Sequence, residues 1–566
     1  MHPCRRGGGV AGRVEDNVGF GRLAGDGPGG AMMISDPSQP DVAAAGEAPL
    51  ARFPAGDARG MRQDGLCVYK GIPYAMPPTG ARRWRPPAPM PRWDGVREAV
   101  ASGPACTQPA RRGGSIYASE LAQTGEDCLF LDIWAPEGAK DLPVLVWIHG
   151  GSFIWGAGSE PHHDGAALAR RGAVVVSINY RLGVFGYLAH PELSAESPDG
   201  VSGNYGLLDQ IAALEWVKRN IAAVGGDPEK VTIAGESAGA LSVLYLMAAP
   251  AARGLFAGAV AQSAYMISTP ALKEERHGHE PAEAAGERLC AQLGMGGIAA
   301  LRAMDAQQLA DAALRAGFLP GGTVDGHVLP DQLVDVFERG GQARVPLLAG
   351  FNSGEARSLP FLVPPLPATA AAYEAEIRSR YGNLADGFLS LYPPDDIVES
   401  ALSCIRDALY GWTALKLAQA QKAAGLPFFL YYFDHTYPAA AASGLDGFHA
   451  CELPYLFGTA DRTPPLWPAI PSTEIEAALS RAIGDYWVGF ARAGAPQAQG
   501  APDWPGHAPE GAFMHFNDTP RIARDLLPGM FALHDAVVSR RRAAGDAPWN
   551  WNAGVAAPLP EPEPEA

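Results

Sequence analysis

Basic side chains are in the minority in this 566-residue sequence, 44 Lys and Arg against 61 Asp and Glu, a formal charge of −17. An acidic surplus repels phosphate backbones, so no nucleic-acid partner is expected. Long apolar runs are missing too: nothing approaches the roughly 18 consecutive apolar residues that a membrane-spanning helix needs, and no membrane span is expected. Cysteine is scarce, at 7 residues, which excludes a disulfide scaffold. No Cys-x-x-Cys pair or Cys/His cluster has zinc spacing, so neither metal nor organic cofactor is expected. The nearest metal-ligand candidates, His162-His163 and the His-Gly-His-Glu at His277 to Glu280, read as polar surface loops. Glycine (68) and proline (51) are plentiful but follow no fixed period, which removes collagen and solenoid architectures.

What is present is a core. Apolar residues make up 47% and aromatics 9%, ample for a packed globular protein. Residues 1–49 lack a sustained apolar period and are expected to be a disordered extension. Their Arg5-Arg6 pair is followed by glycines and charges instead of the apolar stretch of an export signal, so a cytoplasmic location is expected. A start elsewhere, Met32 and Met33 being alternatives, leaves a secreted or periplasmic location open. Residues 546–566, which end in alternating Pro and Glu, are expected to be a disordered, extended tail. No linker divides residues 50–545, which are expected to form a single domain.

Within that domain, short β-branched runs alternate with helical patterns. The runs 142–151, 172–181, 230–237, 257–264, 345–352 and 427–436 are apolar on both faces, as buried parallel strands require. Leu207, Ile211, Leu214, Val217 and Ile221 recur at three- and four-residue spacing and define an amphipathic helix that Gly225 and Gly226 stop. Residues 265–342 and 360–425 are Ala-rich helical excursions covering the sheet. The fold class expected is α/β, a large and mainly parallel sheet flanked by helices.

One strand runs into Gly235-Glu236-Ser237-Ala238-Gly239 and then into a helix. Glycines two before and two after the serine permit the sharp turn of a nucleophile elbow, which lifts the hydroxyl clear of the backbone. A serine hydroxyl needs a base and an oxyanion site to attack a carbonyl. His149-Gly150-Gly151-Ser152-Phe153 ends another strand, and its small residues let amide N–H groups approach a substrate oxygen.

These motifs, taken in order, resemble the type-B carboxylesterase and cholinesterase family of α/β-hydrolases, especially its bacterial para-nitrobenzyl esterase-like members. The resemblance runs over most of residues 65–535. It includes Lys70 to Ala75, Pro77 to Gly80, Glu126 to Trp134, the His149 to Phe153 loop, Asn179 to Arg181, Gly203 to Gln210, Gly225 to Pro228 and the Ser237 elbow. It implies an α/β-hydrolase fold with helical insertions and a triad in the order Ser237, Glu355, His449. Glu355 follows a strand as Asn352-Ser353-Gly354-Glu355, where the family commonly has Asp-Glu-Gly; Gly354 and Ala356 depart from that pattern. Asp325, in a Val-Asp-Gly turn, is the rival acid. His449 lies in a family-like Gly447 to Gly458 context, and His149 is expected to support the donor loop. The resemblance further implies oxyanion N–H donors at Gly151, Ser152 and Ala238. It also implies a disulfide between Cys106 and Cys128, which a cytoplasmic location would keep reduced.

The activity implied is hydrolysis of small-molecule carboxylic esters through an acyl-serine intermediate. The same machinery acting on another bond or acceptor, as a specialised toxin esterase, lactonase, amidase or acyltransferase, is the alternative, with a non-catalytic binding module behind it. The sequence does not define an oligomeric state.

Overall fold

The computed structural model describes residues 47–110, 114–508 and 510–549. The expected disorder of residues 1–46 and 550–566 lies outside the described residues. Packing extends slightly beyond residues 50–545 at both ends. Pro49 is buried and its carbonyl accepts the N–H of Gly60 at 2.9 Å. Trp549, placed in the expected tail, is fully buried, stacks edge-on with His277 at 4.7 Å and donates its indole N–H to Met266 O at 3.3 Å. An indole of that size stabilises the fold when removed from water, so the chain stays packed past residue 545.

Among the described residues eleven strands form the central sheet: β1 (Met61–Gln63), β2 (Leu66–Pro73), β3 (Phe130–Pro136), β4 (Leu142–Ile148), β5 (Val174–Ile178), β6 (Gly226–Glu236), β7 (Gly258–Gln262), β8 (Leu347–Asn352), β9 (Phe428–Phe433), β10 (Phe513–Phe516) and β11 (Arg521–Ala523). Their spatial order is β11-β10-β9-β8-β7-β6-β4-β5-β3-β2-β1. From β10 to β5 every neighbouring pair is parallel, while β11, β3, β2 and β1 join antiparallel. All six runs expected as parallel strands lie in that central portion. A separate three-stranded sheet, Leu50–Phe53, Gly56–Arg59 and Val96–Glu98, stands beside the N-terminal edge.

Strand β4 illustrates why these segments are apolar throughout. Val144, Val146 and Ile148 enter one hydrophobic cluster, whereas Leu145 and Trp147 enter another. Alternating side chains point to opposite faces, and both faces are covered. Helices α1 (Tyr205–Asn220) and α2 (Ala238–Ala248) pack in the first cluster, and α3 (Glu474–Ala493) packs in the second through Leu479, Ile483, Tyr486, Trp487 and Phe490. Every residue of α2 is buried, the signature of a helix enclosed by protein on all sides. Its larger apolar side chains, Leu241, Val243, Leu244, Leu246 and Met247, each contribute roughly 1.5–3 kcal/mol of transfer free energy.

Two motifs distant in sequence meet in a buried ion pair. Arg181 Nε and Nη2 donate to Asp209 Oδ2 and Oδ1, both at 2.7 Å, and the Arg181 backbone N–H adds a third bond at 3.0 Å. The pair ties the end of β5 to α1. No described helix is long and apolar enough to cross a membrane.

Candidate active site

Strand β6 ends at Glu236 and α2 begins at Ala238, so Ser237 alone makes the turn, at φ +56° and ψ −122°. A non-glycine residue in this region carries local strain, about 1–3 kcal/mol, which the surrounding packing must hold. The packing leaves no freedom: a Cβ on Gly239 would sit 2.1 Å from Ile148 O. Ser237 N donates to Gln262 O at the end of β7, 2.9 Å away, and the serine remains partly exposed.

The donor loop leaves β4 alongside. Gly151, Ser152 and Phe153 have φ of +103°, +57° and +58°, a tight reversal closed by Ile154 N and Trp155 N donating to Gly151 O at 3.0 and 2.9 Å. A Cβ at Gly150 would lie 3.2 Å from Ser237 Cβ, so the loop needs glycine there to approach the serine closely. Among the described residues, no protein group accepts the N–H of Gly151, Ser152 or Ala238. His149 stacks on Tyr180 at 4.6 Å, and Tyr180 Oη donates to His149 O at 2.8 Å, which buttresses the loop from behind.

Glu355 opens a short turn just beyond β8 and is fully buried. Its Oε1 accepts from Ser263 Oγ at 2.6 Å and from Asn352 N at 2.8 Å; its Oε2 lies 2.5 Å from His449 Nδ1. Gly354 pairs its N–H with Gly447 O at 2.8 Å, drawing the histidine loop against the acid. A Cβ at position 354 would lie 2.6 Å from Leu445 O, so glycine is required by this close approach. The rival acid is elsewhere. Asp325 Oδ1 accepts the N–H groups of His327, Val328 and Leu329, and Oδ2 accepts from Asn204 Nδ2 at 3.0 Å, the pattern of a side chain that closes a turn.

His449 has two carboxylate neighbours. Its Nε2 lies 3.0 Å from Glu236 Oε1, and among the described residues Ser237 Oγ makes no hydrogen bond. Burial alone would favour the neutral imidazole, but the carboxylates of Glu236 and Glu355 outweigh it and raise the pKa to about 9. Burial pushes Glu236 up to about 8, with Glu452 and Glu355 adding to the rise and His449 opposing it. Glu452 is likewise raised by burial, and it is held by Asn352 Nδ2 at 2.6 Å and Gln262 Nε2 at 2.9 Å. Trp487 Nε1 fixes Gln262 in turn, at 2.9 Å. Tyr117 Oη is within hydrogen-bond reach of both His449 O, 2.9 Å, and Ser358 Oγ, 2.6 Å, bridging the histidine loop to the turn that begins with Glu355.

The carboxylesterase family profile matches residues 47–529. The chain belongs to the carboxylesterase family. The fumonisin B1 esterase of Sphingopyxis macrogoltabida is 37% identical over 79% of this chain and 83% of its own length. The para-nitrobenzyl esterase of Bacillus subtilis strain 168 is also 37% identical, over 80% of this chain and 92% of its own. A solved para-nitrobenzyl esterase structure superposes with a TM-score of 0.74 at 33% identity, covering 86% of this chain and 99% of that one. The fold is that of the α/β-hydrolases, and this carboxylesterase is a serine hydrolase of carboxylic esters.

Several expectations change with the structure in view. Cys106 and Cys128 of this carboxylesterase are neighbours, both buried, and both carry free thiols. Cys106 Sγ instead accepts the N–H of Leu182 at 3.2 Å. His162 and His163 are not surface residues: they are 7% and 4% exposed, enclosed by Trp147, Phe457 and Trp467. His277 is buried as well, against Trp549. Sequence reasoning passed over Glu236 and Glu452 as working groups, although both stand inside the motifs that carry the resemblance. Ser263, Asn352 and Tyr117 had no local signal of their own. Of metal-ligating groups, Glu160, His162 and His163 gather in one buried cluster.

Proposed function

We propose that Ser237 is the nucleophile, His449 the general base and acid, Glu355 the group that orients it, and the N–H groups of Gly151, Ser152 and Ala238 the oxyanion hole. The observation that carries this reading is the 2.5 Å contact of Glu355 Oε2 with His449 Nδ1, set beside a serine raised on a strained strand-to-helix turn. A carboxylate on Nδ1 holds that nitrogen's proton and leaves Nε2 to accept one.

In the reaction, Ser237 Oγ turns to His449 Nε2 as substrate binds, gives up its proton there and attacks the ester carbonyl. The oxyanion takes the N–H groups that have no protein acceptor, each worth about 3–4 kcal/mol in the barrier. Collapse expels the alkoxide, which takes the proton from His449. Water, deprotonated by the same imidazole, then releases the acid from the acyl-serine.

The substrate class proposed is uncharged acyl or aryl esters. The side chains beside the donor loop are apolar: Ile154 faces Val184, Phe185, Leu314 and Phe318 around a small recess of about 20 Å³. Among the described residues no Lys or Arg forms an ion pair with Glu236, Glu355 or Glu452, so no permanent cation stands there to favour an anionic substrate.

The test is hydrolysis of a para-nitrophenyl ester series by wild type and Ser237→Ala, with intact mass after exposure to an organophosphate. Turnover and a single covalent adduct, both lost in the variant, support the assignment. An adduct that survives Ser237→Ala places the nucleophile elsewhere.

A further inference from the structure

The loop that carries the oxyanion donors continues past them into a group of side chains for which ester hydrolysis has no use. Glu160, His162 and His163 are 5%, 7% and 4% exposed, and one ligand atom from each lies within 4.8 Å of the others. A one-turn 3-10 segment, Pro161–His163, opens with proline and brings the two imidazoles to 4.0 Å between centroids, tilted by 52°. Trp147 and Phe457 wall the rings at 5.5 and 5.8 Å from His163.

The charge at this spot is poorly compensated. Glu160 Oε2 accepts one backbone N–H, from Ala157 at 3.3 Å, and the nearest basic group is His163 Nδ1 at 3.9 Å. Among the described residues no Lys or Arg pairs with Glu160; the nearby Arg462 is taken by Asp164 at 3.1 Å. A carboxylate withdrawn from water calls for a cationic partner or a metal ion.

We propose that Glu160, His162 and His163 form a binding site for a transition-metal dication of zinc type. Two imidazoles and one carboxylate are the donor set that tetrahedral zinc accepts, with a fourth position for water. Ligand atoms around such an ion stand about 3.3 Å apart, so side-chain adjustments of little more than an ångström close the site. The ion does not join the ester chemistry. It pins the far end of the donor loop, whose middle is already tied to β5 by Ser177 Oγ donating to Gly158 O at 2.8 Å and by Asn179 Oδ1 accepting Gly158 N at 2.9 Å.

The experiment uses tag-free, chelator-treated full-length protein titrated with zinc sulfate and, separately, cobalt chloride. Wild type is expected to bind one equivalent, to show the visible d–d absorption of four-coordinate cobalt, and to melt at higher temperature with zinc. Glu160→Gln keeps the side-chain volume and is expected to weaken binding by about 100-fold or more; His162→Gln does the same from the other side. Melting of each variant without metal reports whether it folds. Wild type that takes up no cobalt at millimolar concentration overturns the proposal whatever the variants do. So does a folded Glu160→Gln protein that binds as tightly as wild type.

Discussion

His449 is held between two carboxylates, its Nδ1 2.5 Å from Glu355 Oε2 and its Nε2 3.0 Å from Glu236 Oε1. The second contact sets Glu236, the residue before the proposed nucleophile, and not Ser237 itself, within 3.0 Å of the nitrogen that the proposed mechanism uses as proton acceptor. Because the two carboxylates raise His449 to about 9, the imidazolium persists above neutrality, and catalysis needs the neutral ring. The acid limb of kcat/KM against pH is therefore expected on the alkaline side of pH 7. Glu236→Gln removes one carboxylate and should move that limb to lower pH. A limb near pH 6 that the variant leaves in place would contradict this account.

The same groups give the stability a pH dependence with a definite sign. His449 rises from 6.5 to about 9 on folding, so its contribution is complete below pH 6.5 and is lost as pH climbs through 9. Glu236 rises from 4.5 to about 8, so the folded state also holds a proton there that the unfolded chain has released. Glu236 lowers stability as pH rises from 4.5 to 8 and His449 as it rises from 6.5 to 9, so the two terms act together between pH 6.5 and 8. The urea midpoint is expected to fall over that window in wild type and to fall less in Glu236→Gln.

Converting Glu355 to Gln tests the other side of the imidazole. The amide can still accept from Ser263 and Asn352 through oxygen, but its NH2 then faces His449 Nδ1 and drives the ring into the wrong tautomer. In serine proteases that change costs about 10⁴-fold in kcat with geometry intact, and a similar loss with little change in KM is expected here. A Glu355→Gln enzyme within tenfold of wild type would remove Glu355 from the triad.

The sheet was legible because burial on both faces leaves a dense apolar run, as in Leu142–Ile148 and Phe428–Phe433. The Ser237 elbow was legible because a sharp turn under close packing demands glycine at fixed offsets, and Gly239 meets Ile148 O as that logic requires. What stayed hidden depends on distant parts of the chain. Tyr117 reaches His449 across 332 residues, and His163 is buried by Phe457 across nearly as many. A histidine pair beside proline reads as exposed until the residues that cover it are known. Glu236 was in plain view, but only the fold brings its carboxylate to 3.0 Å from His449 Nε2.

Tyr117 bridges the histidine loop and the turn begun by Glu355 through one hydroxyl. Removing it in Tyr117→Phe leaves the ring packed on Trp467, 5.9 Å away, and takes away only the bridge. A part-buried hydrogen bond of this kind contributes about 0.5–1.5 kcal/mol to holding the two segments together, so kcat is expected to fall by up to roughly tenfold with KM nearly constant. If Tyr117 only packs, the variant will lose neither kcat nor the position of its pH limb.

Gly354 is a case in which restoring the residue common in the family should do harm. An added Cβ would lie 2.6 Å from Leu445 O and 3.1 Å from Gly447 C, both backbone atoms that cannot swing aside. Relief requires moving the 445–447 segment, and with it the Gly354 N to Gly447 O hydrogen bond of 2.8 Å that sets the distance between Glu355 and His449. Forcing an extra carbon into a packed site costs about 1–3 kcal/mol, so Gly354→Ala and Gly354→Asp should both lower the urea midpoint. They should also lose activity together, since the clash belongs to the Cβ they share and not to the carboxylate. An active, undestabilised Gly354→Asp would mean that the histidine loop has room to retreat without disturbing the contact between Glu355 and His449.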